Sequence, residues 1–151
     1  MLRARLSEAL KAAMKSRDQC AVSTLRLILA ALKDREIAAR GKGGAEGIGD
    51  DEILDLLQKM IRQRRDSIEM YRQGNRQDLV DKEEAEIVVI QGFLPEQIGE
   101  DAMEAAVDEV IDELGAKTIK DMGRVMGTLK ERYAGRMDFA KASTLAKQRL
   151  S

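Results

Sequence analysis

A single proline sets the limits on this fold. Pro95 is the only one in 151 residues, and it sits in the stretch Gly92-Phe93-Leu94-Pro95-Glu96-Gln97. Proline lacks a backbone N–H and pushes the residue before it out of the helical region, so a helix arriving through Ile87–Gln91 ends here. Elsewhere nothing interrupts helix in this way. Ala, Leu, Ile, Met, Glu, Lys and Arg dominate, with only two Phe, two Tyr and no Trp, a composition that favours helix. Val and Ile recur at helical spacing, not in alternation, so strands are not expected. The expectation is an all-α protein: an N-terminal four-helix domain over residues 1–92, then a small three-helix domain over residues 93–151.

The apolar stripes mark the helices. Leu2, Leu6, Leu10 and Ala13/Met14 line the first, and Val22, Leu25, Ile28/Leu29 and Leu32 line the second, which fades through Ile37 to Arg40. Asp18 is placed to cap that second helix. Residues 41–49 hold five glycines and read as a flexible connector; their spacing does not fit a phosphate-binding loop. Asp50-Asp51-Glu52 then opens a third helix with Ile53, Leu56/Leu57, Met60/Ile61, Ile68 and Tyr71 inward. Lys59, Arg62, Arg64, Arg65 and Arg72, with Arg76 just beyond, could attract a polyanion, but the simpler reading is a solvated face paired with Glu83, Glu84 and Glu86 of the fourth helix. That fourth helix, about Arg76 to Gln91, offers Leu79, Val80, Ile87, Val88 and Ile90 as its apolar residues. Past the proline, Glu100–Leu114 is acidic outside and apolar inside, with Gly115 as its left-handed cap. Thr118 and Asp121 have capping-box spacing at the start of a sixth helix, whose stripe is Ile119, Met122, Val125/Met126 and Leu129. Gly123 and Gly127 share a face there, which suggests close backbone packing. Asp138 caps a last helix, Phe139–Leu150, with Leu145 and Leu150 inward.

Several chemistries are excluded at once. The chain has no histidine and one cysteine, Cys20, which removes histidine-based nucleophilic catalysis, histidine-ligated zinc and an internal disulfide. No catalytic residue, metal or cofactor is expected. Glu83/Glu86 and Asp108/Asp112 have helical spacings that could serve a hard cation, yet charged helices produce such pairs by default. No apolar run approaches the ~20 residues a membrane span needs, and the N-terminus lacks a signal-peptide core. A soluble cytoplasmic protein is the expectation.

Charge is distributed unevenly. Glu83 to Glu113 holds eleven acidic residues and no Lys or Arg, whereas residues 114–151 hold nine basic and three acidic. The basic end directs attention to Lys117, Lys120, Arg124, Lys130, Arg132, Arg136, Lys141 and Lys147 as phosphate contacts. The acidic belt could instead dock a basic partner protein.

Three stretches together resemble the YqeY family: Asp78-Leu79-Val80 with Lys82-Glu83 and Glu86, then Phe93-Leu94-Pro95-Glu96-Gln97, then Lys120-Asp121-Met122-Gly123 with Val125-Met126-Gly127. These small proteins share a C-terminal domain with the B subunit of glutamyl-tRNA/aspartyl-tRNA amidotransferase (GatB). The resemblance implies a four-helix part followed by a three-helix domain like the GatB tail. It also implies a function near tRNA: a non-catalytic accessory that grips tRNA, or a tRNA-charging or amidotransferase protein, through the eight cations above. The associated activity is carbon–nitrogen ligation with glutamine as amide donor, although the ATP- and metal-binding part of GatB has no counterpart here. Oligomeric state is left open.

Overall fold

The computed structural model describes residues 1–41 and 48–151. The chain is all-helical, with seven α-helices among the described residues. They are α1 (Leu2–Ser16), α2 (Gln19–Gly41), α3 (Asp50–Gln73), α4 (Gln77–Gln91), α5 (Glu100–Leu114), α6 (Met122–Arg132) and α7 (Phe139–Leu150). The connector expected over residues 41–49 lies mostly outside the described residues. Two compact units result, Met1–Leu94 and Pro95–Ser151.

In the first unit α1 to α4 bury one shared core. Leu6, Ile28, Leu32, Ile53, Leu57 and Ile90 are its most deeply buried side chains. At ~1.5–3 kcal/mol for each fully buried aliphatic side chain, such stripes offset chain entropy only when all four helices pack together. Sharp reversals separate them: Arg17 (φ 59°) ends α1 and Asn75 (φ 56°) follows α3, both in the left-handed region. The Asp18 carboxylate accepts a hydrogen bond from Ala21 N at 3.1 Å, the expected cap of α2. After α4, Phe93 and Leu94 pack on this same core. Arg5 of α1 holds that turn from above, donating to the Gly92 carbonyl at 3.4 Å with its guanidinium carbon 5.5 Å from the Phe93 ring centre.

The pairing of α3 with α4 follows the simpler reading. Arg64 Nε donates to Glu86 Oε2 at 2.9 Å and lies 3.9 Å from Glu83, while Arg72 meets Glu84 at 3.2 Å. Of the apolar residues of α4, Val88 faces outward, while Ile87 and Ile90 fill the inward side.

In the second unit Val107, Val110, Val125, Leu129 and Met137 form the centre, closed by Ala142 and Ala146 of α7. Alanines let α7 approach closely where longer side chains would hold it off. Gly115 (φ 61°) caps α5 in the left-handed region, and Asp138 caps α7 by accepting from Ala140 N and Lys141 N. The opening of α6 differs from expectation. Ile119–Asp121 forms a 3₁₀ turn before the helix proper, so Ile119 is exposed instead of joining the stripe. The Asp121 carboxylate still accepts from the Lys117 and Thr118 amides. Gly123 and Gly127 also differ: a β-carbon at either would meet nothing within 4 Å, so neither permits a close approach within the chain.

Candidate functional site: the cations of the second unit and the outer face of α2

Of the eight cations expected to meet phosphate, four are occupied otherwise. Arg124 binds Asp121 at 2.8 Å, Arg132 binds Glu113 across the α5–α6 interface, and Lys141 reaches Glu100 at 3.5 Å. Arg149, which the sequence did not single out, binds Asp108 at 3.0 Å. Arg136 spends its guanidinium on the Glu96 carbonyl at 3.2 Å, and its own carbonyl accepts from Ile98 N at 2.9 Å. Through these contacts Arg136 holds the start of this unit, and its own amide is bound to the Tyr133 carbonyl. Lys117, Lys120, Lys130 and Lys147 are exposed and have no ion-pair partner among the described residues.

The cause is tertiary. The acidic helix α5 packs against both α6 and α7, so the belt and the basic end neutralise one another inside one unit. Pro95–Ser151 holds nine basic and eleven acidic residues, a net charge of −2 where residues 114–151 alone carry +6. The same pairs engage Glu100, Asp108 and Glu113 of α5, while Asp101, Glu104 and Asp112 stay exposed without an ion-pair partner among the described residues. Glu113 is held below the ordinary carboxylate range by the Arg132 hydrogen bond, and Asp121 by the Lys117 amide, Arg124 and the Thr118 amide.

A second surface emerged that the sequence reading passed over. The core stripe of α2 is Val22, Leu25, Ile28 and Leu32, yet Leu27 and Ile37 on its other side are 50% and 55% exposed. Between and beyond them lie exposed Ala30 and Gly41, and along one edge run Arg26, Lys33 and Arg40. Beside this ridge is a groove of about 350 Å³ with Leu29 and Leu32 on its floor and Arg3, Lys33 and Arg40 around it. Within it the carboxylate of Glu36, largely buried, is met by Arg3. The signal that could have found this face is the seven-residue interval of the three cations, together with two large aliphatics off the core stripe.

The comparisons with known proteins give the chain its place. Proteins named "Altered inheritance of mitochondria protein 41, mitochondrial" are similar to it. The one from Lachancea thermotolerans is 37% identical over 74% of this chain and 58% of its own length. That from Pyrenophora tritici-repentis is 35% identical over 85% of this chain and 71% of its own length. A Saccharomyces cerevisiae relative is 36% identical over 56% of this chain and 44% of its own. The chain thus spans from under half to somewhat over two thirds of these relatives. Their names concern mitochondrial inheritance, not tRNA or amidotransfer, which overturns the expected tRNA-accessory function and its ligase and acidic-docking alternatives. The α5 pairings add a physical reason: Arg132 and Lys141, two of the eight cations, are matched by its carboxylates, and the unit as a whole carries a net charge of −2. No described helix is long and apolar enough to cross a membrane, while the relatives' names place them in mitochondria, so the cytoplasm is not the only setting for such proteins. Residues 3–150 match the family described as Yqey-like protein, and the chain belongs to that family.

Proposed function

We propose that this protein is a helical binding module, acting through the outer face of α2, in the process for which its fungal relatives are named. The observation that carries the reading is the exposed pair Leu27 and Ile37 on a helix whose opposite face is already core. Single exposed aliphatics are ordinary, but two on one helix face beside an apolar-floored groove mark an interaction surface. We further propose that Met1–Leu94 and Pro95–Ser151 work as separate domains of four and three helices, the second similar in fold alone to the amidotransferase tail. The lone Cys20 suits a reducing compartment, which the cytoplasm provides and which the mitochondrial setting of the relatives does not exclude.

The test is complementation. Directed to mitochondria of Saccharomyces cerevisiae lacking its relative, the chain should restore mitochondrial inheritance. The double variant Leu27→Glu/Ile37→Glu, folded by circular dichroism, should not. Full restoration by the double variant removes α2 from the function, and failure of the unaltered chain removes the shared process.

A further inference from the structure

We propose that the outer face of α2 docks an amphipathic helix of a partner protein, one that carries acidic side chains at seven-residue spacing along one edge. The inference rests on the binding-module reading and adds the chemistry of the partner.

Leu27, Ala30, Asp34, Ile37 and Gly41 follow the alternating three- and four-residue steps of a helix-pairing seam, and all are exposed. Leu27 and Ile37 stand ten residues apart, roughly 15 Å along the axis, about three turns of a facing helix. Arg26, Lys33 and Arg40 each precede a seam residue, the flanking position from which charged side chains select a partner. A straight helix drifts only ~20° per seven residues, so the three stay on one edge.

These cations differ from five arginines of the unit, and share their lack of a carboxylate with Lys15, Arg17, Lys59, Arg65 and Lys82 among the described residues. Arg3, Arg35, Arg64, Arg72 and Arg76 each meet a carboxylate. Arg26, Lys33 and Arg40 are exposed and meet none among the described residues. Like-signed charges along an apolar seam disfavour self-pairing and favour a facing row of Glu or Asp. Asp34 within the seam would face a polar or basic residue and so fix the register.

The probe is a synthetic 21-residue peptide of three heptads. It has Ile and Leu at its seam positions, Asn at the middle one and Glu at the flanks; a control twin carries Lys at the flanks. Added to the full chain, the Glu peptide should shift the amide resonances of Leu27, Ala30 and Ile37, and the Lys twin should not. Arg26→Glu/Lys33→Glu/Arg40→Glu, all at exposed positions, should weaken the Glu peptide about 10–100-fold and gain the Lys twin. Equal binding of both peptides, shifts outside α2, self-association of the chain through α2, or no binding of the Glu peptide would each overturn the proposal. If the peptides fail while complementation still needs Leu27 and Ile37, only the partner chemistry is wrong; if both fail, the module reading falls with it.

Discussion

Both units pair charges at the surface, but only the first, among the described residues, also holds a largely buried cluster. In the first, Arg64, Glu86 and Glu83 form a triad whose side chains are only 12%, 10% and 18% exposed, wedged between α3 and α4. In the second, Asp108–Arg149, Glu113–Arg132 and Glu100–Lys141 lie on the surface around α5. Buried charges have surrendered water and depend on one another, so losing one leaves the rest stranded. Exposed pairs are solvated either way, and each contributes little. The first arrangement therefore fixes how two helices meet, whereas the second mainly decides what field the unit shows to its surroundings.

The largest expected effect breaks the triad. Arg64→Met leaves Glu86 buried without its partner and should destabilise the first unit by about 3–5 kcal/mol in urea unfolding. A loss below about 1 kcal/mol would mean that the triad behaves like a surface pair.

A smaller contrast appears in pH dependence, with opposite signs at Glu83 of the first unit and Asp121 of the second. Burial raises the carboxyl pKa of Glu83, reinforced by neighbouring Glu86 and opposed by Arg64. A raised folded value means stability present at low pH and lost as pH rises through and above the ordinary carboxylate range. Glu83→Gln should thus gain on the parent protein as pH rises from 4 to 7. Asp121 is lowered, so its contribution is present at neutral pH and is lost as pH falls through and below that range. Asp121→Asn should be the less stable protein at pH 7, with the gap closing in acid. Thermal melts across pH that slope the same way for both variants would erase the distinction.

The smallest effect sharpens it from the other side. A double-mutant cycle on Asp108 and Arg149 should give a coupling of about 0–1 kcal/mol that shrinks in high salt. A coupling of 3 kcal/mol would place this pair with the buried kind.

Most of the helical layout was legible because it is local. Pro95, the Asp18 and Asp138 caps, the Gly115 turn and the core stripes each act over a few residues. The Arg64–Glu86 and Arg72–Glu84 pairs were also within reach, since α3 and α4 are consecutive and antiparallel. The charge reading failed for the reason those succeeded. Cutting the chain at residue 113 separated α5 from Arg132, Lys141 and Arg149, which lie 19 to 41 positions from their partners. Gly123 and Gly127 were misread because spacing shows that two residues share a face but not what stands opposite. On α2 the core stripe drew attention from the other side, although Leu27 and Ile37 were in plain view.

That glycine pair has a consequence for how the second unit is assembled. Each costs roughly 1 kcal/mol against alanine, and α6 has only eleven residues, too few to be stable alone in water. Its shape is lent by its neighbours through Val125 and Leu129. α5, α6 and α7 each pack on the other two, so the core of this unit is complete only when all three helices are in place.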